Sequence, residues 1–424
     1  MTPHPGSRPH CDEGRTSLSR RSLLRMAGGA GGLGLATVTL GDARLAFGAT
    51  TDTDTLVVLS LRGGSDGLSV VVPFGDPGYA PARPNIAVPA SAVKRIDSVF
   101  GLHPALAPLF GLWDAGKIAA VHAVGQAVPT RSHAEAMQEM ERAAPKSAVR
   151  TGWIDRVTGL IPAPTTFTAA QVGNPNLPAA LAGAHQKFAM GTLDSIKVEV
   201  SDSIVPLAGW QDALTLLHHG AAAPVSLPMT AAMAAVGQVQ GFAPARSAIE
   251  TGYPATNLGL ALHDVARLIK AGVGLRVAAV DFDDWDMHAD LGKPEQGWMV
   301  DQLTELSNAL MTFAKDLGPD LDRVTLVTLS EFGRRVAENG SGGLDHGHGN
   351  AVLVIGGAVN GGKVYGNWPT LAADKLDDGD LAVTTDYRQI LAELLTKRCG
   401  IGSAAAVFPG LTPAPLGLVD ARPA

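Results

Sequence analysis

The chain has 424 residues, 46% of them hydrophobic and 17% charged, an ordinary globular composition with ample length for a large core. Its formal net charge of −7 lacks the basic footprint that nucleic-acid binding requires. With two cysteines and no Cys-x-x-Cys pair, iron–sulfur and thiol-redox roles are unsupported.

The N-terminus reads as a leader rather than as core. Ser19-Arg20-Arg21-Ser22-Leu23-Leu24-Arg25 forms a twin-arginine motif. A weakly apolar Gly/Ala-rich run from Met26 to Leu40 follows, and Ala46, Gly48 and Ala49 offer a cleavage site. Residues 1–48 are therefore expected to be a signal peptide, and residues 49–424 one exported domain, periplasmic or secreted. No other stretch reaches the ~18 apolar residues of a membrane helix, so the mature form is expected to have no membrane partner. Removing the leader takes away six arginines and three acidic residues and leaves the mature chain more acidic still. It also removes Cys11, so Cys399 has no intrachain partner. The one partner the leader implies is the twin-arginine export machinery, which carries proteins already folded around a cofactor.

Residues 55–61 read as a short buried strand closed by the turn Gly63-Gly64-Ser65-Asp66-Gly67. His103 to Lys117 has the spacing of an amphipathic helix, Ile118 to Val124 that of a second buried strand. Residues 131–143 form a helical pattern starting at Thr130, Arg131 or Ser132. The section from about 150 to 255, rich in Ala, Pro and Gly, is expected to form a peripheral lobe or cover. Then come a helix over Asn257–Ala271, a strand over 276–282, a long helix over 296–316, strands over 324–330 and 351–356, and a last helix over about 386–398. Strands alternating with helices predict an α/β fold, with parallel strands and helices on both faces of the sheet.

In such a sheet, ligands bind beyond the carboxyl ends of the strands, and acidic and histidine-bearing segments follow several strands here. Asp66 sits on the Gly-rich turn after the first strand, where it can approach a metal or simply form the turn. In "DFDDWDMHAD", Asp286 and His288 are two apart and point the same way in extended backbone. Asp281, Asp283, Asp284 and Asp290 rank below them as ligands, and a solvated acidic loop is the competing reading. Glu331 stands where strand 324–330 runs out, and Arg334 or Arg335 can hold an anion or pair on the surface. His346 and His348 in "GGLDHGHGN" are again two apart. Ser132 at a helix start is a candidate nucleophile, or only a cap, and His133 a ligand or an orienting group. His103, His122, His218, His219 and His263 read as packing or surface residues.

The motifs "LRGGSDGLSVVVP", "RSHAEAMQEME", "DDWDMHAD", "SEFGRRVAENGSGGLDHGHG" and "GGKVYGNWPTL" together resemble the bacterial family called domain of unknown function 1501. That family is similar to the alkaline phosphatase superfamily, which includes sulfatases and cofactor-independent phosphoglycerate mutases. The resemblance implies a three-layer sandwich around a mostly parallel sheet. It also implies one or two divalent metals (Zn, Mn, Mg or Ca) on Asp66, Asp286, His288, Glu331, His346 and His348. Ser132 would be the nucleophile, with Arg334 or Arg131 neutralising charge. The sequence departs from the superfamily pattern at Phe332, which stands where an imidazole ligand is usual, and Cys399 in "KRCGIGS" lacks the Cys-x-Pro-x-Arg signature of type I sulfatases. The expected activity is metal-dependent hydrolysis or transfer of a small anionic ester, phosphate ahead of sulfate. The contrasting expectation is a non-catalytic secreted protein that keeps the fold. Substrate and oligomeric state are left open.

Overall fold

The computed structural model describes residues 54–196, 218, 222–240 and 250–422. The twin-arginine leader expected over residues 1–48 lies outside the described residues. Twelve strands are present among them: β1 (Thr55–Leu61), β2 (Val71–Val72), β3 (Lys94–Arg95), β4 (Gly101–Leu102), β5 (Ile118–Gly125), β6 (Ala169–Val172), β7 (Phe188–Met190), β8 (Val277–Phe282), β9 (Val324–Leu329), β10 (Asn350–Gly356), β11 (Val364–Tyr365) and β12 (Thr385–Asp386). Nine form one sheet in the order β11-β5-β10-β9-β1-β8-β6-β7, with β12 beside β5, and β2-β4-β3 make a small separate sheet.

The central strand β1, TLVVLSL, is buried along its whole length because both of its faces are covered. Val57, Leu59 and Leu61 pack on one side with the helices Asn257–Lys270 and Trp298–Leu317. Leu56 and Val58 pack on the other with Met140, Trp153 and the helix Tyr387–Lys397. Alternation along one strand thus feeds two apolar layers, and the chain is an α/β sandwich of three layers. Of the sheet pairings, β1 with β8 and β9, β6 with β7 and β8, and β5 with β11 and β12 are parallel. The strand β10 runs antiparallel to both β5 and β9. Because of that reversal, the residues just before β10 lie at the same sheet edge as those just after β1, β5, β8 and β9.

Two expectations change. The predicted helix His103–Lys117 is a 3₁₀ turn over Pro104–Leu109 followed by a short α-helix Phe110–Asp114. Pro108 lacks the N–H that a continuous α-helix needs there. The section 150–255 supplies β6 and β7 to the main sheet, so part of it extends the sheet rather than covering it.

The structure also moves Asp66 away from metal chemistry. Its carboxylate is 2% exposed and accepts two N–H groups of Arg83, one of them from Nη2 at 2.9 Å, and the hydroxyl of Ser69. Arg83 is wholly buried and also donates to the carbonyls of Val336 and Arg335. Burial raises the Asp66 carboxyl, but the guanidinium outweighs it and holds the group below the usual carboxylate range. Gly67 is required beside it, since a Cβ there would lie 2.3 Å from the backbone nitrogen of Ala351. With both oxygens engaged by a buried cation, Asp66 forms a structural ion pair, apart from the His133, Asp286 and His346 cluster. Asp66→Ala is expected to cost about 3–5 kcal/mol in urea unfolding, the penalty of leaving Arg83 buried and unpaired. Its metal content should stay at the wild-type value, and a parallel loss of metal would return Asp66 to the ligand set.

Candidate metal centre

Four connections meet at the carboxyl edge of the sheet. After β5 the chain runs through Arg131 to Ser132, which caps the helix His133–Arg142 by accepting the Glu135 N–H at 3.5 Å. That cap puts His133 at the first helical position. After β8, the backbone passes through Asp284 at φ +69° and through the buried Trp285 to Asp286 and His288. Glu331 follows β9 directly. His346 precedes β10 and pairs in register with Arg334.

Asp286 is the centre of the arrangement. Its Oδ1 accepts Arg334 Nη2 at 2.7 Å and lies 3.1 Å from His288 Nε2 and 3.4 Å from His346 Nε2. Its Oδ2 is 3.5 Å from His133 Nε2. His288 Nε2 and His346 Nε2 are themselves 2.8 Å apart. One ligand atom each from His133, Asp286 and His346 fit within 4.8 Å of one another.

The opposite ring nitrogens are all tethered. His346 Nδ1 donates to the Arg131 carbonyl at 2.7 Å, His133 Nδ1 to Glu331 Oε1 at 2.9 Å, and His288 Nδ1 lies 3.5 Å from Asp345 Oδ1. An acceptor at Nδ1 fixes the ring plane and leaves Nε2 as the nitrogen that a cation would take once it gives up its proton, as the outer partners of metal-binding histidines do. His133 Nε2 is buried, and the carboxylate it faces, Asp286 Oδ2, stands off at 3.5 Å. A buried imidazole nitrogen aimed at a carboxylate between two more Nε2 atoms fits a divalent cation well. The donors that fit one ion together are His133, Asp286 and His346, with His288 Nε2 beside them.

The remaining candidates take other places. Glu331 is 3% exposed and accepts the Gly63 N–H at 2.9 Å as well as His133 Nδ1, so it orients the His133 ring. Arg334 is 2% exposed and also donates to the carbonyls of Gly63, Gly64, Leu344 and Trp285. A guanidinium with that many partners holds Asp286 and cannot meet a substrate, which corrects its expected role. Arg131 pairs through its side chain with Asp378 and Asp380, and Arg335 also reaches Asp380. His348 turns the other way from His346: its Nδ1 is 2.8 Å from Asp377 Oδ2, outside the cluster. The ring of Phe332 packs at centroid distances of 4.8 Å from His133 and 4.5 Å from His346. Among the lesser acidic candidates, Asp281 pairs with Arg62. His133 was left undecided by the sequence between ligand and orienting group. Its place after a capping serine in "TRSHAEA" was the available signal.

The electrostatics match the geometry. Burial pushes the Asp286 carboxyl up, but hydrogen bonds from His133, His288, His346 and Arg334 outweigh it and hold the group well below the usual carboxylate range. Burial works against a charged His133, yet Asp286 and Glu331 push the imidazole up to about 9. At neutral pH the metal-free protein therefore carries a proton on His133 that an incoming cation must displace. Apparent affinity for Zn²⁺ is expected to rise by about tenfold per pH unit, for one displaced proton, between roughly pH 6.5 and 8.5. Calorimetric titrations in buffers of different ionisation enthalpy check it; a pH-independent affinity with no proton release would remove His133 from the donor set.

Among curated proteins none matches the sequence. Solved structures of similar fold include a sulfatase of Pseudoalteromonas sp. (10% identity, TM-score 0.33), where the match covers 74% of this chain and 64% of that one. The phosphonate monoester hydrolase of Agrobacterium radiobacter is similar at 11% identity and TM-score 0.34, covering 85% of this chain and 78% of that one. The alkaline phosphatase of the Antarctic bacterium TAB5 is similar at 7% identity and TM-score 0.30, covering 74% of this chain and 95% of that one. This chain thus spans just under two thirds of the length of the sulfatase. At such scores the likeness is slight, and the fold given above rests on the sheet itself. Residues 263–403, which hold Asp286, His288, Glu331, Arg334, His346 and His348, match the family described as protein of unknown function (DUF1501).

Proposed function

We propose that this protein holds one divalent cation on His133, Asp286, His288 and His346 and acts as an exported hydrolase or transferase of phosphate esters, with sulfate esters second. The observation that carries the metal reading is the set of three imidazoles, each with Nδ1 directed at an oxygen and Nε2 turned toward Asp286. One ion is favoured over two, because Asp66 and His348 are engaged elsewhere and the Phe332 ring lies against two of the imidazoles. Zn²⁺ suits a nitrogen-rich set of this kind better than Mg²⁺ or Ca²⁺. Bound there, the ion would supply Lewis-acid polarisation of an ester oxygen.

The ester class comes from the family resemblance, and Ser132 is the residue of this chain placed to attack. It immediately precedes His133 at the start of a ten-residue helix, where backbone N–H groups and the helix dipole favour an anionic oxygen. Its hydroxyl makes only a long capping contact as acceptor, which leaves its proton available to a base. Export follows from the twin-arginine motif of Ser19–Arg25. Among the described residues no helix is long and apolar enough to cross a membrane.

A specific observation favours a second reading. The three guanidiniums nearest the cluster, Arg131, Arg334 and Arg335, are each already paired with a carboxylate of this chain. A site meant for an anionic ester usually presents such a group to solvent, so a secreted protein that holds its metal without turnover is the alternative.

Elemental analysis of protein purified without chelators is expected to find about one equivalent of a transition metal, lost in His346→Ala. No metal after incubation with Zn²⁺, Mn²⁺ and Ca²⁺ would sink the metal reading. In metal-loaded protein, Ser132→Ala is expected to retain the ion and lose phosphomonoesterase activity by about 100-fold or more. Unchanged turnover in that variant removes Ser132 from the mechanism, and a wild-type protein inert toward phosphate and sulfate esters leaves the non-catalytic reading in force.

A further inference from the structure

The tight turn Asp377–Asp380 carries none of the cluster's donor atoms, yet the segments that deliver His133 and His346, and the one that carries Arg334, are tied to it. Asp380 is wholly buried, and its Oδ2 accepts Arg131 Nε at 2.9 Å and Nη2 at 2.7 Å. Its Oδ1 lies 3.7 Å from Arg335 Nε, and its Oδ2 is also 3.5 Å from His348 Nδ1. These three partners are sequence neighbours of the groups in the cluster. Arg131 lies two residues before His133, and its carbonyl holds His346 Nδ1. Arg335 follows Arg334, which holds Asp286. His348 lies two residues after His346. In each segment one side chain meets Asp286 and another, one or two residues away, meets Asp380.

The turn itself is firmly fixed. Asp377 and Asp380 exchange backbone hydrogen bonds at 2.9 and 3.0 Å, Val336 N donates to Gly379 O, and Gly349 N donates to Leu381 O at 2.9 Å. Asp378 and Gly379 take positive φ, +50° and +85°, to close it. The carboxylate is therefore presented from a rigid support, buried where attraction between charges is weakly screened.

We infer that Asp380 is a positioning residue for the metal cluster: it sets the register of three loops and, through the Arg131 carbonyl, the tautomer and ring plane of His346. This rests on reading the cluster as a metal site, but the link from Asp380 to His346 exists without metal. The neighbouring Asp378 provides the contrast. It contacts the same guanidinium at 3.0 Å, but its side chain is 77% exposed, so it forms a rim ion pair of little energetic weight.

The test compares wild type, Asp380→Asn and Asp378→Asn by Co²⁺ titration with its visible absorption spectrum, and by proton and nitrogen-15 NMR of histidine-labelled, metal-free protein. Circular dichroism verifies folding. In Asp380→Asn, Co²⁺ affinity is expected to fall by about 10–100-fold, the usual effect of losing an outer partner of a ligand. The hydrogen-bonded Nδ1 proton of His346 should also be lost to solvent exchange. Asp378→Asn should behave as wild type in both. Should Asp380→Asn not accumulate as folded protein, Arg131→Gln breaks the same link from its half-exposed side, with the same outcome expected. Wild-type Co²⁺ affinity together with an unchanged His346 Nδ1 resonance in these variants would overturn the inference, as would an equal loss in Asp378→Asn. If wild type takes up no metal, the metal reading falls, and the NMR comparison still decides what Asp380 does.

Discussion

One buried cation organises the carboxyl edge of the sheet. The guanidinium of Arg334 donates to the carbonyls of Gly63 and Gly64 after β1, to Trp285 and Asp286 after β8, and to Leu344 ahead of β10. Its own backbone follows β9, so loops from four strands are fastened to a single planar group. Such a charge is tolerated in the interior only because its donors are satisfied, and removing its partner would leave several kcal/mol uncompensated. The position of Asp286 is a consequence of this fastening. A carboxylate held by Arg334 on one side offers its remaining lone pairs to whatever faces it on the other, and three imidazoles do.

The three histidines arrive by different routes, and strand direction explains why they meet. His288 and His133 follow parallel strands, so they appear at the carboxyl edge as residues do in any parallel sheet. His346 precedes its strand and would lie at the far edge if β10 were parallel too. The reversal of β10 between β5 and β9 brings it back. The same reversal sets the "HGH" segment against Arg334 and Arg335, where His346 and His348 part to opposite sides. An inner centre around Asp286 and an outer one around Asp380 are thus built from nearby residues of the same segments.

Much of this was legible in the sequence and the rest was not, for identifiable reasons. The buried strands β1, β5, β8 and β9 are continuous apolar runs, and their carboxyl ends could be found because acidic and histidine residues follow them. Asp286, His288 and His346 were read as ligands from their density, and the structure brings them together. A period-two pattern puts His346 and His348 on one side, and the bend at His348 that parts them leaves no mark in the sequence. The partners of Asp66 and Glu331 are illegible for a related reason. A carboxylate after a strand is equally suited to a metal, a buried arginine or an imidazole N–H, and only the fold reveals that Arg83 and His133 claim them. Asp380 left no signal, because the acidic run "LDDGD" reads as an ordinary exposed turn. The short strands β6 and β7 were hidden in an Ala/Pro/Gly-rich stretch with no periodicity to mark them.

Phe332 unites these strands of the argument. In sequence it is a departure, an aromatic where the resemblance leads one to expect an imidazole. In the structure its ring is buried against His133 and His346, and Gly64 at φ +76° makes room for it, since a Cβ there would lie 2.4 Å from the ring. The ring, the glycine and the Asp66–Arg83 pair are mutually consistent: each puts an apolar or pre-neutralised group where a second cation would need a ligand. A ligand set merely decaying at random would leave buried polar groups without partners, which is costly. Here Asp66 and Glu331 are engaged, and His133 Nε2, one of several buried polar atoms without a close partner, faces Asp286. These contacts fit the one-cation reading proposed above.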